Sequence, residues 1–279
     1  MKLVKRKRIL LLAAALLAIT VGKGLDNRPV VRRYEVESKK LTERVRLVFL
    51  SDLHSCDYGP GQSELLDLVE EENPDLVLLG GDWVDDDMDH LPPERSYAAA
   101  RALAERWPTY YVTGNHEIWS GQAEEIKAKL VALGVVVLGG ERAAAEVRGQ
   151  PIQICGLDDP AAGEYTWREE LEEAKRGCEE ASFTILLTHR SERIEDYGGF
   201  DLTLTGHAHG GQWRIPGLVN GLLSPDQGFF PAYAGGVYPV EGEESGTMIV
   251  SRGLARESTR LPRFYNPPEV VVTELVPAL

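Results

Sequence analysis

The 279-residue chain has few cysteines, fewer basic than acidic residues and no internal repeat. Its cysteines are Cys56, Cys155 and Cys178, and their odd number leaves at least one free thiol. Their positions also lack the spacing of a zinc site, so neither a disulfide framework nor structural zinc underlies the fold. No low-complexity linker interrupts the chain. We therefore predict one large domain of ordinary globular composition.

The shortage of basic residues is greatest after the first 24 positions. The whole chain has 30 Lys and Arg against 44 Asp and Glu, a net charge of −14. Six of the basic residues and none of the acidic ones lie within residues 1–24, which leaves 24 basic against 44 acidic residues, or −20, in the remainder. Nucleic-acid binding depends on basic surfaces, so we expect no nucleic-acid partner.

Long apolar runs are also scarce, and Ile9–Val21 is the main one. Five Lys and Arg precede it within residues 2–8, and Thr20 is its one polar residue. This order is typical of an export signal or a signal anchor. The run is short for a span of roughly 20 residues, but no Ala-x-Ala cleavage site follows it. We favour an uncleaved anchor over a cleaved signal peptide.

This interpretation divides the chain into a leader at 1–32 and a catalytic-sized domain at 33–279. A basic cluster before the apolar run stays in the cytoplasm, which would place the domain on the outer side of the cell membrane. Cleavage would instead release it as a secreted or cell-wall protein. A buried first helix is a weaker alternative, because the run is apolar on every face.

The rest of the chain predicts an α/β fold with two sheets. In the first half, predicted strands at Arg44–Ser51, Asp75–Gly80, Thr109–Thr113 and Val135–Leu138 alternate with predicted helices at Gly61–Glu72, Glu94–Arg106 and Gln122–Leu133. Such alternation indicates parallel strands in a layered fold. The second half predicts one helix near 167–178 and strands at 143–148, 151–156, 183–188, 201–205, 212–215, 235–240, 246–251 and 269–275. We expect these strands to form a second, more antiparallel sheet packed on the first.

Five of the six histidines collect at the ends of predicted strands, next to carboxylates and amides. The residues are Asp52, His54, Asp82, Asn115, His116, His189, His207 and His209. Each group follows an apolar, strand-like run, and the carboxyl ends of parallel strands meet at one edge of a sheet. We therefore predict one metal-binding site assembled from five distant segments. His90, within the acidic stretch 85–89, is expected to be a solvated loop residue.

The chemistry of these residues suits two cations better than one. Asp52 and His54 are two apart on an extended segment, so they face the same way. The two oxygens of Asp82 can bridge two cations. Neighbouring side chains diverge, which suggests Asn115 as a metal ligand and His116 as a substrate-binding residue. Seven ligands exceed one tetrahedral site, and imidazoles mixed with carboxylates suit Mn, Fe, Zn or Co.

Each position also has a simpler explanation. Asp52 or Asp82 could cap a turn or helix, Asn115 could cap a helix, and His189 could be a structural histidine. If there were no metal site, all of these explanations would have to be true at the same time. The pair His207 and His209, flanked by small residues, is the most specific single motif. Paired cations clamp a phosphoryl group, so the set favours a phosphate-ester hydrolase.

The motifs resemble those of the calcineurin-like metallophosphoesterase superfamily, in particular its membrane-associated bacterial subgroup. The resemblance rests, in order, on residues 51–54 (SDLH), 80–85 (GGDWVD), 114–117 (GNHE), 188–189 (TH) and 206–212 (GHAHGGQ). It implies a four-layer αββα sandwich of two mixed sheets. It also implies that Asp52, His54 and His209 bind one metal, that Asn115, His189 and His207 bind the other, and that Asp82 bridges them. Glu117 stands where many relatives have Asp.

The resemblance further implies that His116 stabilises the scissile phosphate and protonates the leaving oxygen. We expect a phosphodiesterase or pyrophosphatase acting on a membrane-associated or lipid-linked phosphate. A phosphomonoesterase or a phosphoprotein phosphatase is the alternative. A rival of another class is a catalytically silent metal-binding protein of the cell envelope, which the full set of ligands disfavours.

Overall fold

The computed structural model describes residues 2–178, 181–241, 246–256 and 261–278, with side chains from residue 11 onward. In these ranges the helices are α1 (Lys2–Gly24), α2 (Ser63–Glu72), α3 (Glu94–Ala104), α4 (Asn115–Trp119), α5 (Ala123–Ala132) and α6 (Glu164–Arg176). Short 3-10 turns connect several of the other elements.

The first large sheet contains six strands in the order β1-β14-β2-β3-β4-β5 among the described residues. They are β1 (Val30–Ser38), β14 (Glu269–Pro277), β2 (Val45–Leu50), β3 (Leu76–Gly80), β4 (Thr109–Val112) and β5 (Val136–Val137). The strands from β2 to β5 pair in parallel, as their helical crossovers require, and β14 is antiparallel to β2.

The second large sheet has the order β12-β13-β9-β8-β7-β6 within the same ranges. Its strands are β12 (Gly236–Val240), β13 (Gly246–Val250), β9 (Leu202–Thr205), β8 (Phe183–Leu187), β7 (Gln150–Gly156) and β6 (Arg142–Val147). The four inner strands are parallel, and antiparallel pairing is confined to the two edges. The second sheet is therefore more antiparallel than the first, as expected, since two of its five strand pairs are antiparallel against one of five in the first sheet. Its inner strands are nevertheless parallel, because β7, β8 and β9 are joined by crossovers rather than hairpins.

Three apolar cores separate four layers. The central core joins the facing sides of the two sheets, with Leu47 and Phe49 from one and Ile185 and Leu187 from the other. A second core packs α2, α3 and α5 on the outer face of the first sheet. The third packs α6 on the outer face of the second sheet, around Trp167. This confirms the predicted αββα sandwich of two mixed sheets.

The elements missed by the sequence analysis lie at the margins of the sandwich. Strand β1 begins at Val30, three residues before the predicted domain boundary, because it pairs along its length with β14. The segment 212–215 contributes only isolated bridges instead of a strand. A short hairpin of β10 (Leu223–Ser224) and β11 (Gly228–Phe229) follows it. The division at residue 33 itself stays a prediction.

Helix α1 contains the apolar run of the leader. Its residues 11–21 are exposed, and its end is attached to the domain, since the Tyr265 hydroxyl donates to the Thr20 carbonyl at 2.9 Å. A side chain at Gly24 would overlap the Phe264 ring. Within the part of the chain that the structure describes, no helix is both long and apolar enough to cross a membrane.

Candidate metal centre

The predicted ligands converge at the carboxyl ends of strands from both sheets. Asp52 and His54 follow β2, Asp82 follows β3, and Asn115 begins α4 after β4. His189 follows β8, and His207 and His209 follow β9. The strands before them are buried apolar segments that fix where each loop starts. The site therefore spans the two sheets at their common edge, as expected for open α/β folds.

The ligand atoms form two groups that share Asp82. One contains Asp52, His54, Asp82 and His209, and the other contains Asp82, His189 and His207, with the ligand atoms of each group within 4.8 Å of one another. Asp82 Oδ2 lies 3.5 Å from His54 Nε2 and 3.1 Å from His189 Nε2. A carboxylate between two sets of imidazoles is the arrangement in which one side chain can serve two cations.

Neighbouring acceptors determine which nitrogen of each histidine faces the centre. His54 Nδ1 lies 2.8 Å from Asp85 Oδ2, and His189 Nδ1 lies 2.8 Å from the Gly80 carbonyl oxygen. In both rings Nδ1 therefore carries the proton, which leaves Nε2 as a lone-pair donor. In His207 the two ring nitrogens exchange these roles, because Nε2 lies 2.8 Å from Asp226 Oδ2 and Nδ1 faces His189. Such acceptors are the usual supports of metal-binding histidines.

Several buried polar atoms at the centre have no hydrogen-bond partner among the described residues. They are His54 Nε2, Asn115 Oδ1 and His209 Nδ1. Buried polar atoms are nearly always hydrogen-bonded, so a cluster of unpaired ones needs an explanation. Each of these atoms can supply a lone pair, and all of them belong to predicted ligands. This donor set fits divalent cations of the kind that imidazole and oxygen ligands bind.

The backbone of the ligands is unusual, since Asp52, His54, Asp82, His207 and His209 all have φ between 46° and 67°. Left-handed conformations are uncommon for residues other than glycine and concentrate at functional sites. Glycine makes room beside them: a Cβ on Gly206 would lie 2.5 Å from Asp52 Oδ2. The loops are therefore shaped to turn ligands inward rather than to continue the strands.

Residues 45–211 match the family model for calcineurin-like phosphoesterases. The chain belongs to this family. The match covers more than half of the chain and contains every predicted ligand. It confirms the predicted superfamily, and with it the class of metal-dependent phosphoesterases to which the matched domain belongs.

Similar proteins support the same assignment. The chain is 27% identical over 275 residues to the metallophosphoesterase YkuE of Bacillus subtilis, covering 92% of each chain. It is 29% identical over 236 residues to the phosphodiesterase YaeI of Escherichia coli, covering 80% of this chain and 84% of that one. These two relatives confirm the predicted subgroup. A metallophosphoesterase of Helicobacter pylori is 28% identical over 256 residues, but the chain spans only 65% of its length.

Glu117, the variant residue of the third motif, supports the Asp82 loop. Its carboxylate accepts from the backbone N–H groups of Asp82 at 3.0 Å, Trp83 at 2.6 Å, Val84 at 2.8 Å and Gly114 at 2.8 Å. Both oxygens are thus occupied by two donors each. Glu117 therefore positions Asp82 through the backbone of its loop, and it makes no hydrogen bond to the His116 ring among the described residues.

His116 lies beside the two ligand groups rather than within them. Its ring is 4.4 Å from that of His54, and its side chain is 25% exposed, whereas that of His54 is 2% exposed. Its Nδ1 lies 2.5 Å from Asp86 Oδ1, a partner that the sequence analysis did not identify. This placement separates His116 from the ligands and puts it where a substrate can reach it. The exposed His90 lies away from the centre, paired with Asp87.

Arg190 and its partners are further residues that the sequence analysis missed. The guanidinium of Arg190 binds Asp159 through Nε at 2.6 Å and Nη2 at 2.9 Å, and it also binds Asp226. Its Nη1 is 3.0 Å from His207 Nε2. Arg190 directly follows His189, so its position could have been inferred. Asp226 comes from the β10–β11 turn, which no local pattern connects with the other motifs.

The electrostatics of the centre favour positive charge. Burial acts to lower the pKa of His189, but the charge of Asp82, a hydrogen bond with it and the charge of Asp52 outweigh burial and raise this pKa to about 10. Burial acts to raise the pKa of Asp82, and the His189 charge and hydrogen bond outweigh it, so this pKa lies well below its ordinary value. A divalent cation would take the place of the proton that His189 otherwise holds.

Proposed function

We propose that the protein hydrolyses phosphate esters with two divalent cations, one in each group of ligands that shares Asp82. The observation that carries this proposal is the shared carboxylate together with histidine nitrogens turned toward it. Asp52, His54 and His209 would complete one cation site. Asn115, His189 and His207 would complete the other. Mn, Fe, Zn or Co suits these ligands best.

The chain's own residues divide the work around the phosphate. The cations, when bound, supply a nucleophile at neutral pH and neutralise charge on the phosphoryl oxygens. With its Nδ1 bound to Asp86, His116 can present Nε2–H to the phosphate or to the leaving oxygen. Asp86 holds the ring in place in the same way that a carboxylate orients other catalytic histidines. Asn115 lies next to His116 and would contact the substrate as well as a cation.

The test is hydrolysis of bis-p-nitrophenyl phosphate with added Mn²⁺. Asp82→Ala should reduce turnover by several orders of magnitude, because both cation sites lose a ligand. His116→Ala should reduce kcat by about 10²–10⁴-fold, the usual contribution of a general acid. The matched control is His90→Ala, which removes an exposed histidine from the same acidic region. Near-wild-type turnover in a folded Asp82 or His116 variant would refute the role given to that residue.

The preference for diesters is part of the proposal, and the relative YaeI, named a phosphodiesterase, supports it. Hydrolysis of p-nitrophenyl phosphate in place of the diester would indicate the alternative, a phosphomonoesterase or phosphoprotein phosphatase. The absence of turnover with any divalent metal would favour the silent metal-binding protein.

A membrane-associated or lipid-linked phosphate is the substrate that we propose. Exposed apolar side chains occur close to the centre, on the segment that ends with the β10–β11 hairpin; they are Trp213, Ile215, Leu218, Leu223, Phe229 and Phe230. Asp226 in the hairpin turn contacts His207, so the hairpin that carries Leu223 and Phe229 borders the site. Between Gly210 and Val240 only Arg214 and Asp226 carry charge. Apolar and aromatic surfaces of this kind suit a lipid interface.

The leader extends this proposal to location. We propose that α1 holds the domain at the outer side of the cell membrane, because the basic residues 2–8 precede an apolar run that is exposed along residues 11–21. Fractionation of cells that express the full chain, followed by protease treatment of intact cells, tests this. Recovery in the cytoplasm would refute it.

A further inference from the structure

A cavity lined by arginines lies outside the metal centre. Its volume is about 440 Å³, within the range of small-ligand sites. Arg32 comes from β1, Arg214 from the segment after the last metal ligand, and Arg252 from the loop after β13. Asn220 and Tyr265 add polar groups to the wall. None of these residues belongs to the two ligand groups around Asp82.

The positive charge of this arginine pocket is not balanced. Glu269 is the carboxylate that pairs with its walls, at 3.3 Å from Arg252 Nε and 3.9 Å from Arg32 Nε. Arg214 has no carboxylate within 4.0 Å among the described residues. Its guanidinium donates to two neutral oxygens, the Gly210 carbonyl at 3.0 Å and the Asn220 amide. Three guanidinium groups therefore share one carboxylate.

An uncompensated charge at this depth is costly. Arg214 is only 8% exposed, and a buried charge without a partner destabilises a protein by several kcal/mol unless something neutralises it. Burial and the nearby Arg252 lower the pKa of Arg214 to about 10, which reflects the same excess of positive charge. The chain as a whole carries −14, so a local cluster of this sign is not explained by composition.

We propose that the arginine pocket binds a phosphate-type oxyanion, as a site separate from the metal centre. Guanidinium groups match phosphate oxygens by paired hydrogen bonds, and a dianion would balance the surplus charge. Arg214 connects the pocket with the loop of the last metal ligand, since it donates to the carbonyl of Gly210, the residue after His209. The anion could be a soluble phosphate or the headgroup of a lipid. Ile215 and Leu218 on the rim would accommodate either one.

Calorimetric titration with inorganic phosphate tests the site in the full chain. Metal is first removed with a chelator, so that the catalytic centre does not contribute. Arg32→Gln is the variant of choice, because its side chain is 47% exposed and its loss should leave the fold intact. Arg33→Gln is the matched control: it neutralises the next residue of β1, which faces away and pairs with Glu72. Loss of one charged contact should weaken binding about tenfold.

The proposal requires saturable phosphate binding that Arg32→Gln weakens and that Arg33→Gln and Asp82→Ala leave unchanged. Equal affinity in the Arg32 and Arg33 variants, or no saturable binding, would overturn it. Arg252→Gln provides a second variant with the same expected loss. Because hydrolysis is measured separately, a failure here leaves the proposed phosphoesterase activity untouched, and the reverse also holds.

Vesicles distinguish the two sources of the anion. Phosphatidylglycerol vesicles are compared with phosphatidylcholine vesicles for cosedimentation with the wild type and the two β1 variants. A loss of phosphatidylglycerol binding in Arg32→Gln, but not in Arg33→Gln, supports the pocket and identifies a lipid headgroup. Phosphate binding that depends on Arg32, without any difference between the variants on vesicles, supports the pocket and identifies a soluble phosphate.

Discussion

Replacing Glu117 by Gln tests whether one buried carboxylate holds the Asp82 loop. Each oxygen of Glu117 accepts from two backbone N–H groups. The amide of Gln keeps one acceptor oxygen and turns an NH₂ group toward the other two donors. Two charge-assisted hydrogen bonds are lost, at about 1.5–3 kcal/mol each, but removal of a buried charge whose pKa is raised offsets part of this, so we expect a net loss of about 1–3 kcal/mol. This is a large part of the 5–15 kcal/mol that typically stabilises a domain.

The measurement is a thermal melt followed by circular dichroism. Each kcal/mol corresponds to roughly 2–4 °C for a domain of this size, so Tm should fall by at least about 2 °C. Burial and the charge of Asp82 raise the pKa of Glu117 to about 7, and the melts are therefore run at pH 8, where the carboxylate is ionised. Glu124→Gln on the exposed face of α5 is the control. A Tm within about 2 °C of wild type would refute the reasoning.

Two further predictions concern the supports of the centre. Asp226→Asn removes the charge that faces His207 Nε2 and Arg190, and we expect metal affinity to fall about 10–100-fold, as measured by titration of the chelated protein with Mn²⁺. An unchanged affinity would show that the hairpin does not support the ligand. Chelation itself should lower Tm, and added Mn²⁺ at 100 times its dissociation constant should restore about 2.7 kcal/mol. The same addition should leave the Tm of Asp82→Ala nearly unchanged, and an equal shift in both proteins would contradict the assigned ligands.

The strands and ligand positions of the sandwich were predictable because they depend on local pattern. Apolar runs such as Leu47–Leu50 and Leu76–Leu79 are buried on both faces, so their hydrophobicity identifies them as strands without reference to the rest of the chain. The polar residues after each run then mark where the strands end. One edge of a layered fold collects these ends, which is why five distant segments could be assigned to one place.

The supporting residues were not predictable in this way, because each acts across the fold. Asp226 reaches His207 from a short hairpin whose strands have two residues each, which is too few to show alternation. The surplus charge of the arginine pocket appears only when β1 pairs with β14 and brings Arg32 to the same carboxylate, Glu269, that pairs with Arg252. Strand β1 was also missed, although its residues from Arg33 to Glu37 alternate between exposed charged and buried or partly buried apolar side chains, a pattern that indicates a half-buried strand.

The left-handed backbone of the ligands explains why neither sheet could build the centre alone. Five residues with positive φ cost about 1–2 kcal/mol each, so the loops would relax if they were isolated. Contacts between loops hold them instead. The Asp52 N–H donates to the Gly81 carbonyl at 3.0 Å within the first sheet, and the His207 N–H donates to Asp52 Oδ1 at 3.0 Å across the two sheets. The same carboxylate that would bind a cation thus fixes the loop carrying two other ligands, and the ligands are already held together by the protein before any cation arrives.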